Sequence, residues 1–83
     1  VKQIGLKYVE KYGFKNLKES LKNKKYCILR TITHDVPHYI VVDYYDELQN
    51  IFYVLDPWLG EIKYFQSELD KIWKERDYYY FEI

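Results

Sequence analysis

An imidazole held beside a carboxylate is a general base fixed in one tautomer, and His38 and Asp56 are spaced to form such a pair. His38 opens a run of β-branched and aromatic residues, His38 to Tyr45, directly after Pro37, and Asp56 closes a second such run, Ile51 to Asp56, directly before Pro57. Between the runs, Asp46-Glu47-Leu48-Gln49-Asn50 has the length of a hairpin loop with turn formers at both ends. If Tyr45 faces Ile51, paired positions sum to 96, so that His38 falls opposite Trp58 and Asp56 opposite Ile40. Side chains alternate with period two, which sends His38, Ile40, Asp56 and Trp58 to one face and makes His38 and Asp56 diagonal neighbours about 7 Å apart. In that arrangement Asp56 orients one ring nitrogen while the other serves a nucleophile or a water. The same spacing also fits a plain hairpin that happens to have polar ends, and the spacing alone leaves both open.

Cys27 is the only thiol. It excludes an internal disulfide, and without a CxxC motif or a Cys/His cluster neither a structural metal nor a cofactor is expected. A first hairpin turning around Asp35 pairs Cys27 near Asp43, five residues along the strand from His38 and on the order of 16 Å away. A thiol and an imidazole need hydrogen-bond reach to activate each other. Cys27 is therefore expected to be a small buried apolar residue, its usual role in a reducing compartment, here the cytoplasm.

The elements that must position these residues follow in order. Ile4, Val9 and Tyr12, with Tyr8 beside them, have helical spacing over Val1 to Tyr12, and Gly13 is set to end that helix. Asn16 caps a second helix, Leu17 to Leu21. Tyr26 to Ile32 reads as a strand, Thr33 to Pro37 as a turn, and Glu61 to Phe65 as a strand after the turn Pro57-Trp58-Leu59-Gly60. Ser67 caps a helix from Glu68 to Lys74 whose buried stripe is Leu69, Ile72 and Trp73, and Tyr78 to Ile83 is a final strand. The sum is an α+β fold: N-terminal helices, an antiparallel sheet of four or five strands, and one helix before the last strand.

With 83 residues the chain makes one domain or half-domain, residues 1–83, with a core near the lower limit of self-sufficiency. Aromatic residues make up 20% of it, eleven of them tyrosines, which enlarges a small core and can also cover a surface. Thirteen basic and thirteen acidic residues cancel, so neither nucleic acid nor an anionic membrane is an expected partner. The basic residues do gather before Cys27, where lysines on a helix are ordinarily solvated. No apolar run approaches the roughly 18 residues of a membrane span. The chain begins at Val1 and lacks methionine, which fits either a removed initiator or a segment of a longer protein.

A helix leading into an apolar strand, then His38-Tyr39-Ile40-Val41-Val42, a turn, Tyr53-Val54-Leu55-Asp56-Pro57-Trp58-Leu59-Gly60, and Phe65-Gln66-Ser67-Glu68-Leu69 with Trp73 resembles a known family. It is similar to the C-terminal half of the papain-like cysteine peptidases that trim double-glycine leader peptides, and of their broader relatives, over roughly residues 17 to 75. The resemblance implies His38 as general base and Asp56 as its orienter. It also implies a nucleophilic cysteine and a preceding glutamine on an N-terminal helix, and neither is visible in this sequence. Three functions follow as expectations. The first is a peptidase half inactive as an isolated chain, completed by a missing N-terminal half. The second is a non-catalytic domain that binds a peptide or protein through Trp58 and Tyr39, and the third a structural protein whose tyrosines cover a homo-oligomer interface.

Overall fold

Alternation of apolar and polar residues builds the centre of the molecule, and a computed structural model describes residues 8–83. Strand β2 (Cys27–Thr33) buries Cys27, Leu29 and Thr31 and turns the residues between them outward. It reverses through His34 and Asp35, whose φ angles of 53° and 63° match the two positive values of a two-residue hairpin turn. Strand β3 (Val36–Asp46) then runs back with Thr31 opposite His38 and Cys27 opposite Val42. Strands β4 (Ile51–Asp56) and β5 (Gly60–Phe65) continue the meander.

Two helices cover one face. Helix α1 (Phe14–Lys22) contributes Leu17 and Leu21, and helix α2 (Gln66–Trp73) contributes Leu69 and Trp73, to a core with Leu29, Ile40, Val42, Phe52, Val54 and Tyr80. Trp73 is fully buried with its polar atom satisfied, since Nε1–H donates to the Tyr79 carbonyl at 2.8 Å. A single 3-10 turn (Lys74–Arg76) and the left-handed Asp77 lead into β6 (Tyr79–Glu82), which pairs with β2.

The sheet has six antiparallel strands in the order β1-β6-β2-β3-β4-β5, rather than the four or five expected. The extra one is β1 (Val9–Tyr12), read from the sequence as the end of a helix; residues 1–7 of that expected helix lie outside the described residues. Pairing with β6 supplies the ladder, and Tyr12 packs edge-on against Tyr79 while Glu10 accepts a hydrogen bond from the Tyr79 hydroxyl at 2.9 Å. These contacts come from a strand some seventy positions away, and helical spacing over a few residues does not compete with them.

Local caps differ as well. Gly13, at φ 90°, precedes α1 instead of ending a helix, and its carbonyl accepts the Leu17 N–H at 3.0 Å. Asn16 lies inside α1, with its side-chain amide donating to the Tyr12 carbonyl. At α2 the helix begins one residue before Ser67, and Glu68 reaches back to accept the Phe65 N–H at 2.8 Å.

Candidate functional site: a buried His38–Asp56 pair

Next to the β3–β4 turn, Asp46 pairs with Ile51, Tyr45 with Phe52 and Tyr44 with Tyr53, a register summing to 97 rather than 96. A bulge between Val42 and Tyr44 then takes up one residue, and beyond it Val42 pairs with Val54 and Val41 with Leu55, the sum of 96 read from the sequence. Because one position of slip exchanges the faces of a strand, the bulge allows both Tyr45 and His38 to face the helices. His38 and Asp56 thus share that face, and both are buried.

The two meet directly. His38 Nε2 lies 2.9 Å from Asp56 Oδ1. A carboxylate only accepts, so the ring donates through Nε2–H, and no hydrogen bond engages Nδ1 among the described residues. Asp56 Oδ1 also accepts the backbone N–H groups of Trp58 at 2.7 Å and Leu59 at 3.1 Å. Burial works to raise the Asp56 pKa, but the His38 hydrogen bond and these two backbone donors outweigh it and hold the carboxyl below its ordinary value. Asp56 therefore stays a carboxylate inside the fold.

Trp58 roofs the pair. Its indole stacks on the His38 ring at a centroid distance of 3.7 Å and 22° between planes, while the rest of the side chain stays exposed. Thr31, which the sequence reading passed over, lies on the other side and donates from Oγ1 to the His38 carbonyl at 2.6 Å. Placing the first turn at His34 and Asp35 would have revealed it, since Thr31 then falls opposite His38.

Two other candidates are not brought to the pair. Tyr39, expected with Trp58 to contact a peptide or protein, points to the opposite face because it is one residue from His38 on a strand, and it lies opposite Arg30 there. Cys27 shares the helix-covered face but sits four residues along β2 from the position opposite His38, about 13 Å away. It is fully buried, and burial, with the Glu82 charge, pushes its thiol up to about 12. No group of side chains with the makings of a metal site occurs among the described residues, nor is any helix there long and apolar enough to cross a membrane.

A buried imidazole held in one tautomer by a carboxylate can serve as a general base. The chain matches the model of the Peptidase C39 family over residues 3–77, and it belongs to that family. No curated protein and no solved structure matches it.

Proposed function

We propose that this domain supplies the general base and its orienter, His38 and Asp56, to a papain-like cysteine peptidase whose thiol comes from a preceding segment or a partner chain. The observation behind this reading is the 2.9 Å contact between His38 Nε2 and Asp56 Oδ1 in a chain of the Peptidase C39 family. In the reaction, Nδ1 takes the proton of the incoming thiol, the thiolate attacks a peptide carbonyl, and the imidazolium returns that proton to the leaving amine. Asp56 stabilises the imidazolium and keeps the ring in its tautomer. Trp58 covers the hydrogen-bonded pair with one face of its ring and offers its exposed part to the peptide.

A second reading, a peptide-binding domain without catalysis, is favoured by the absence of a thiol within reach of His38 among the described residues and by the exposed Trp58 and Leu59 beside the pair. Hydrolysis separates the two. The chain alone, and its Cys27→Ala variant, should leave a peptide with a Gly-Gly site intact. Joined to a segment carrying the cysteine helix, the chain should gain cleavage that His38→Ala abolishes and Asp56→Asn weakens. Cleavage by the joined protein that is indifferent to His38→Ala would sink the catalytic proposal. Turnover by the lone chain that is lost in Cys27→Ala would make Cys27 the nucleophile, and turnover that survives that substitution would rule out cysteine chemistry, since Cys27 is the only thiol of the chain.

A further inference from the structure

The face of the sheet turned away from α1, α2 and the His38–Asp56 pair has no helix packed on it among the described residues. One lateral row crosses all six strands in register: Glu10, Phe81, Ile28, Val41, Leu55 and Glu61. Its four central members are apolar and its two ends are acidic. On one side of the row Arg30 lies over the Tyr79 ring, 4.3 Å from its centroid, with Tyr39 opposite it on β3. On the other side Tyr44 and Tyr53 pack ring to ring at 5.4 Å, and Lys63 extends over Tyr53.

Tyrosine, arginine and branched aliphatic side chains with few charges are the composition of an interface core rather than of a solvated face. Six strands at about 4.8 Å, and three rows of side chains along them, span roughly 25 Å by 20 Å, or roughly 500 Å² in projection. Standing side chains raise the accessible area toward the roughly 800 Å² per partner of a standard interface, and monomers seldom leave so large an apolar patch bare.

We infer that this open face is the contact between two copies of the chain, stacked sheet on sheet about 10 Å apart with the His38–Asp56 pairs directed outward. Charge selects a second copy over a charged partner. The face has three acids, Glu10, Glu61 and, at the bulge, Asp43, against two bases, Arg30 and Lys63, a nearly balanced set that can complement itself, and the whole chain is neutral, with thirteen residues of each sign. A depression of about 380 Å³ bordered by Asp43, Tyr53, Leu55 and Lys63 offers a socket for a ring of the other copy. The inference does not depend on the peptidase proposal, because the two sites occupy opposite faces.

Light scattering on the size-excluded chain tests it. At about 100 µM the wild type should have twice its 10.3 kDa mass and return to 10.3 kDa on dilution. Val41→Lys with Leu55→Lys should be monomeric with an unchanged circular dichroism spectrum. Leu48→Lys, at a turn residue 98% exposed on the β3–β4 loop, should behave as wild type. A wild type that is monomeric at about 100 µM, or a folded double variant that still dimerises, overturns the inference. Should the double variant unfold, methyl NMR on the wild type decides. Shifts that move on dilution should belong to Ile28, Val41 and Leu55 and spare Leu48 and Val36, and the reverse pattern overturns it.

Discussion

Asp56 Oδ1 receives the His38 ring at 2.9 Å and the Trp58 N–H at 2.7 Å, so a single oxygen both orients the imidazole and sets the turn that brings the indole over it. The carboxylate stabilises the fold and the site through the same contacts.

That coupling gives a pH signature. With its folded pKa held below the ordinary 3.8, Asp56 contributes stability that is fully present above the unfolded value and lost as pH falls through the folded one. Asp56→Asn keeps an acceptor but not the charge, and should cost about 1 to 2 kcal/mol at neutral pH. In urea unfolding the margin of wild type over variant should shrink as pH drops below about 4. A margin constant down to about pH 2 would mean that the charge contributes nothing.

The bulge makes a second prediction. Removing Asp43 leaves Val42 and Tyr44 adjacent, with Val42 opposite Val54 and Tyr44 opposite Tyr53 in one unbroken alternation. The deletion should therefore fold and keep the His38–Asp56 hydrogen bond. Removing Val41 instead forces His38 or the core residue Val42 to the wrong face and should unfold the chain or expose the imidazole. Thermal melting and the ring signals of His38 distinguish the two. An Asp43 deletion that loses the histidine pair would show that the local twist of the bulge, and not its count of residues, aligns the site.

Much of this site was legible from residue types. The runs flanking Asp46 to Asn50 declare the β3–β4 hairpin, and the facing of His38 and Asp56 follows from period two. The bulge has no such signature: assuming Tyr45 against Ile51 misses the pairing at the turn by one, and the unseen extra residue restores the register where the site lies. That Tyr39 points away from His38 was legible from the same period of two, which separates it from Trp58, the residue paired with it as a peptide contact. Strand β1 was not legible, because Val9 to Tyr12 gains its structure from Tyr79 to Glu82 at the far end of the chain. The helix α2 stripe was clear, and of its three residues Leu69 and Trp73 are fully buried while Ile72 packs partly buried against the core.

Trp73 fixes a third expectation. Its ring meets Phe14 edge-on at 5.0 Å and packs with Tyr78 and Tyr80, so the indole joins α1, α2 and β6. Trp73→Ala should cost about 3 to 5 kcal/mol, much of the folding free energy of so small a domain. Differential scanning calorimetry checks it, and a variant melting within a few degrees of wild type would contradict a core role.

Whether His38 can act as a base turns on which ring nitrogen bears the proton when the imidazole is neutral. Long-range proton–nitrogen correlation spectra of the ring should show the hydrogen on Nε2, facing Asp56, and an unprotonated Nδ1 free to accept a proton from a thiol. In Asp56→Asn that preference should weaken, because the amide can donate to the ring as well as accept from it. A wild-type ring with its hydrogen on Nδ1 would contradict this role, since Asp56 would then not orient the imidazole and the only unprotonated nitrogen, Nε2, would face Asp56 rather than an incoming thiol.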